Sequence, residues 1–63
     1  MKFKVGDTIE IVYMKQVPGY AGKIGVIQHI DDKGQLHGTW GGLAAIPKCD
    51  QIRIIKSAPN SLF

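Results

Sequence analysis

The segment KIGVIQHIDDKGQLHGTW, Lys23 to Trp40, decides the fold class. Its first half, KIGVIQHI, is rich in β-branched residues, which fit a pleated, half-buried surface better than a helix. Asp31-Asp32-Lys33-Gly34 supplies a hairpin connection, with Gly34 able to take the positive φ that such turns need. QLHGTW then reads as a returning strand, in which Leu36, Gly38 and Trp40 share one face and Gln35, His37 and Thr39 share the other. Trp40, the chain's only tryptophan, falls on the face whose other large member is apolar. The pattern predicts that it is buried.

Outward from this hairpin the same period continues. In GDTIEIVYM, Gly6-Asp7 is an entry turn, Ile9, Ile11 and Tyr13 alternate with Thr8, Glu10 and Val12, and a first strand results. QVPGYAG, residues 16–22, is too rich in Pro and Gly to form an element and long enough for a functional loop. After Trp40, Gly41-Gly42 reverses the chain into LAAIP as strand four, which Pro47 closes because it cannot donate to a ladder. KCDQ suits one short 3-10 turn, and IRIIK is the last strand. No stretch of ten or more residues shows helical spacing of apolar positions, so the class is all-β. The expected core is Ile9, Ile11, Ile27, Ile30, Leu36, Trp40, Leu43, Ile46 and Ile54. The domain should span residues 1–57, with 58–63 a flexible tail in which Pro59, Asn60 and Ser61 oppose regular structure.

At 63 residues with 44% hydrophobic and 21% charged side chains, the chain has the composition of a single soluble globular domain. Its longest apolar runs are far shorter than the ~20 residues that cross a bilayer, and no leader pattern opens the chain. No membrane association and a cytoplasmic location are the expectation. Cys49 is the only cysteine, which excludes an intramolecular disulfide, and with His29 and His37 it falls short of a spaced zinc set. Neither a metal nor a cofactor is expected. The net charge of +3 and pI near 9.3 are compatible with nucleic acid or an acidic protein as partner. The cations Lys2, Lys4, Lys15, Lys23, Lys33, Lys48, Arg53 and Lys56 form no run, which equally describes a solvated surface.

Five short strands, a long loop after the first and a single turn before the last are the order of a small five-stranded SH3-like barrel. Gly22 to Ile30, GKIGVIQHI, resembles the glycine-and-hydrophobic KOW motif of ribosomal and transcription-factor barrels. The span Gly6 to Ile55 further resembles a family of small bacterial and phage domains of the DUF (domain of unknown function) type. It shares with them an opening G-D-x-hydrophobic strand and, later, Asp31-Asp32, Gly34, Leu36-His37, Trp40, Gly42-Leu43, Ile46-Pro47, Asp50 and Ile54-Ile55. The family has a longer polar turn after the tryptophan, which this chain compresses to Gly41-Gly42. The resemblance implies the barrel fold and a setting in phage or mobile-element genes, and it implies no particular chemistry.

Catalysis requires a nucleophile, a base and an orienting group in one dry pocket, and a barrel this small fills its interior with side chains. Cys49 can be matched with His29 or His37 and Asp50 only on paper, and it reads as a small buried hydrophobe. The expectation is a non-enzymatic binding module. For protein recognition, the groove between the long first loop and the third-strand hairpin would use Tyr13, Pro18, Tyr20 and the edge of Trp40. For nucleic acid, Tyr13, Tyr20 and His37 would stand beside Lys15, Lys23 and Arg53. The candidate partner-binding set is therefore Tyr13, Lys15, Pro18, Tyr20, Lys23 and His37, with an unidentified protein the preferred partner and nucleic acid the alternative. QVPGYAG has no acidic residue, which counts against a proline-rich ligand. Val12, Ile24 and Ile55 sit opposite the assigned core faces, so the chain is expected as a monomer or a weak homodimer pairing through an apolar outer patch.

Overall fold

Turn chemistry sets the strand boundaries in the structure, a computed structural model that describes residues 3–58. Four strands form: β1 (Thr8–Tyr13), β2 (Ile24–Ile30), β3 (Leu36–Gly38) and β4 (Gln51–Lys56). They make one antiparallel sheet in the order β3-β2-β1-β4. In the β2–β3 connection Gly34 takes φ 81°. The Asp31 carboxylate accepts the N–H groups of Lys33 (3.0 Å) and Gln35 (2.9 Å), closing the turn from its own side chain.

Pairing on β1 places Ile9 opposite Gly25 and Ile54, and Ile11 opposite Ile52. Ile9 and Ile11 are fully buried. Three irregularities then bend the sheet: Val12 is the extra residue on β1, Ile55 on β4 and Gln28 on β2. The one at Val12 breaks the expected alternation. Val12 and Tyr13 both face outward, each 43% exposed, and Met14 turns in at 4%. The core gathers Phe3, Ile9, Ile11, Met14, Ile27, Leu36, Trp40 and Ala45, with Val17, Tyr20, Ile30, Ile52 and Ile54 half-buried against it.

The expected closed five-stranded barrel is corrected to an open sheet of four strands. The segment expected as strand four contributes only an isolated bridge, in which Leu36 and Ala45 exchange both backbone hydrogen bonds at 2.8 Å. Both neighbouring positions are committed elsewhere. The N–H of Ile46 donates to Asp50 Oδ2 (2.9 Å), Pro47 has no N–H, and the carbonyl of Leu43 accepts from Trp40 Nε1 (2.9 Å). That last bond draws the Leu43 backbone toward the indole. Its side chain, expected in the core, is 44% exposed, and Ile46 is only half-buried.

The 3-10 turn also lies elsewhere than expected. It forms at Pro18–Tyr20, inside the loop read as structureless, with proline at its start and the Ala21 N–H on the Pro18 carbonyl. Ahead of β4 there is instead a hydrogen-bonded turn, where the N–H groups of Cys49 (2.9 Å) and Asp50 (2.8 Å) both reach the carbonyl of Ile46. Of the expected tail, residues 59–63 lie outside the described residues. Ala58, its first residue, is anchored by its N–H to Asp7 Oδ1 at 2.7 Å.

Trp40 lies past the end of β3 and is 3% exposed. Two glycines make room for it. A β-carbon at Gly25 would meet Trp40 Cε3 at 3.1 Å and the Trp40 nitrogen at 2.8 Å. One at Gly38 would overlap the carbonyl of Val26 and the six-membered ring of the indole. Neither position tolerates a side chain without displacing backbone.

Candidate functional site

Two buried carboxylates organise the surface loops. Asp7 is completely buried and accepts from the backbone N–H of Lys4 (3.0 Å), the Lys4 ammonium (3.2 Å) and the N–H of Ala58. The Ala58 hydrogen bond, more than the contacts from Lys4, holds its carboxyl below the ordinary 3.8, against the opposing effect of burial. Asp50, 9% exposed, accepts from the N–H of Lys15 (3.2 Å) with Oδ1 and from that of Ile46 with Oδ2. It thereby ties the loop after β1 to the segment before β4. A groove lies on either side of this strut.

The first groove, about 440 Å³, has an apolar floor of Phe3, Ile46, Pro47 and Ile52, with Lys33 and Lys48 at its rim. The second, about 340 Å³, runs between the loop after β1, represented by Met14, Lys15 and Val17, and Leu43, Ala44 and Cys49. Ile46 and Asp50 line both. Sharing Ile46 and Asp50, the two grooves adjoin as a channel that three lysines line, Lys33 and Lys48 in the first and Lys15 in the second. Lys15, Lys33 and Lys48 are exposed and form no ion pair among the described residues.

Of the six candidate binding residues, only Lys15 lines a groove. Tyr13 is exposed on the outward side of the bulge at Val12, and Pro18 is exposed on the 3-10 turn. Tyr20 is half-buried against the core, and a β-carbon at Gly41 would stand 2.5 Å from its hydroxyl. The Lys23 ammonium lies 5.1 Å from the Tyr20 ring centre. His37 is on β3 across from His29, with ring centres 5.6 Å apart, and its Nε2 is 2.9 Å from Asp31 Oδ2. That contact, followed by the backbone N–H of Gln35, lowers the Asp31 carboxyl below its usual value. The six positions thus divide among the outward side of the β1 bulge, the Asp50 strut, the Tyr20 brace and the hairpin face rather than making one surface.

Cys49 is exposed, which corrects its reading as a buried hydrophobe. Among the described residues no three His, Cys, Asp or Glu side chains are grouped as metal ligands would be, and no helix is long and apolar enough to cross a membrane. The lysines at the first groove were not singled out by the sequence because Lys33 and Lys48 stand fifteen positions apart without a basic run. The turn-forming Asp31-x-x-Gly34 and Pro47-x-x-Asp50 patterns, which carry these lysines on exposed turn positions, were the available signal.

A model of the domain of unknown function DUF4314 matches residues 1–55. The chain belongs to that family. Among curated proteins and among solved structures, none matches it. The DUF4314 span contains every residue that lines the two grooves and ends before Ala58, the residue that anchors Asp7.

Proposed function

We propose that this DUF4314 domain is a small non-enzymatic binding module that takes a segment of a partner protein along the channel around Ile46. The observation that carries this reading is the channel itself: two largely apolar grooves that share Ile46 and the buried Asp50, whose two carboxylate oxygens each accept a backbone N–H. Concave apolar surface with a few polar groups at its rim is the usual form of a recognition site. An intracellular role as an accessory of a phage or mobile element agrees with the family resemblance. The isotope-labelled domain, titrated with peptides selected on it from a displayed library, is expected to shift the amides of Val17, Leu43, Ile46 and Ile52. Shifts confined to the outer sheet face would overturn the assignment.

The alternative is a nucleic-acid-binding domain that uses the KOW-like stretch Gly22 to Ile30, here carried on an open sheet rather than a barrel. It is favoured by the Lys23 ammonium over the Tyr20 ring, a cation set against an aromatic face. Mixed single- and double-stranded oligonucleotides at low and moderate salt separate the two readings. Salt-sensitive shifts at Lys15, Tyr20 and Lys23 favour nucleic acid, and their absence even at low salt removes it.

A further inference from the structure

Resting on the binding-module reading, we infer that the segment received by the channel is an acidic peptide with apolar anchor side chains. The charge inventory leads there. Five acidic residues stand against eight Lys and Arg, and most of the acids are already occupied. Asp7 is buried against Lys4, Glu10 holds Arg53 at 2.6 Å, and Asp31 is on His37. Asp50 is buried with its oxygens on two backbone N–H groups. Only Asp32 remains both exposed and without a side-chain contact among the described residues. The uncompensated charge is therefore positive, and three of its carriers, Lys15, Lys33 and Lys48, border the channel.

The floor selects between anionic partners. Single-stranded nucleic acid needs exposed aromatic faces on which bases stack. The only aromatic side chain lining either groove is Phe3, and it is 7% exposed. Tyr13, the more exposed of the two tyrosines, lines neither. The accessible lining is Ile46, Pro47 and Ile52 on one side of the strut and Val17, Leu43 and Ala44 on the other. Such a surface accepts Leu, Ile, Met or Phe side chains. Lysine ammonium groups at the rim pair with carboxylates as point charges and need no fixed fork geometry. An acidic segment would be steered to the channel by these charges and held by its apolar anchors.

The test is selection of a displayed library of random peptides on the immobilised domain, with an oligothymidylate titrated in parallel. Enriched sequences are expected to place Asp or Glu beside large apolar residues. A synthetic peptide of the enriched sequence is expected to lose about tenfold in affinity in the Lys15→Gln, Lys33→Gln, Lys48→Gln triple variant, since exposed pairs contribute modestly each. Lys56→Gln, on β4 and away from the channel, is expected to leave affinity unchanged. Enrichment of neutral or basic peptides that still shift Leu43 and Ile46 would overturn the acidic partner and leave the binding module standing. Failure to enrich any peptide overturns both, and binding of oligothymidylate in that case assigns the domain to nucleic acid.

Discussion

Replacing Gly38 by alanine tests whether the indole seat determines this fold. The added methyl would overlap the carbonyl of Val26 and two carbons of the Trp40 six-membered ring. The first obstacle is backbone in the middle of β2, and the second is a ring tethered through Nε1 to the Leu43 carbonyl. Neither is the free end of a flexible side chain, so the cost falls at the upper end of overpacking, about 3 kcal/mol. A chain of this length is stabilised by roughly 3–9 kcal/mol in total. The loss corresponds to a fall in Tm of about 12–24 °C by calorimetry or thermal circular dichroism. Gly42→Ala is the control, because nothing lies within 4 Å of its added carbon and its φ is not positive. It is expected to be neutral or to stabilise by about 0.4–1 kcal/mol through the unfolded chain. Trp40→Phe added to Gly38→Ala removes the ring obstacle but not the Val26 carbonyl, so the double variant should show a favourable coupling of about 1 kcal/mol. A Gly38→Ala protein within about 0.5 kcal/mol of the parent, or a Gly42→Ala protein equally damaged, would refute the reasoning.

Trp40→Ala is expected to cost about 3–5 kcal/mol and to leave much of the protein unfolded at room temperature, read by denaturant titration; a cooperative transition near that of the parent contradicts the anchor role. Asp7 has a carboxyl lowered in the folded state by the Ala58 and Lys4 hydrogen bonds, so its contribution is fully present above the ordinary value near 3.8 and is lost as pH falls through the lower folded value. Asp7→Asn should remove that acid sensitivity and cost about 2 kcal/mol at neutral pH, and urea midpoints measured across the acid range check both. Asp50→Ala leaves the N–H groups of Ile46 and Lys15 without their acceptor, and it is expected to speed hydrogen exchange at those two amides while the β1–β2 amides keep their protection.

The strands that sequence reading places correctly are those whose apolar residues alternate against neighbours in a regular register, β1 through Ile11, β2 through Ile27 and β4 through Ile52 and Ile54. The hairpin turn at Asp31–Gly34 is equally legible, because its chemistry is local. Reading fails where a side chain captures a backbone group from a distance. LAAIP has strand composition, yet Asp50 takes the Ile46 donor and Trp40 takes the Leu43 acceptor. Period-two patterning also cannot see a bulge. Tyr13 shares parity with Ile9 and Ile11, but the extra residue at Val12 sends it outward and brings Met14 in. Gly25 and Gly38 lie within segments whose sequence reads simply as strand, whereas in the fold they are the space the indole occupies.

For the candidate site the difficulty was charge rather than pattern. A net charge of +3 describes the whole chain and hides which charges are free. The outer sheet face makes the contrast clear. Val12, Ile24, Val26 and Ile55 are 38–58% exposed there, as many apolar residues as line the first groove. Between them, Glu10 stands opposite Ile24 on one side and Arg53 on the other, and Arg53 closes on Glu10 with both Nε and Nη2. Glu10 and Arg53 on that face thus satisfy each other. β4 borders the sheet with Arg53 and Lys56 along it, the kind of charged edge that resists pairing with another strand. Around Ile46 the balance is reversed. The one carboxylate present is buried with both oxygens on backbone N–H groups, and the three surrounding lysines form no ion pair among the described residues, so this is where an incoming anion gains most.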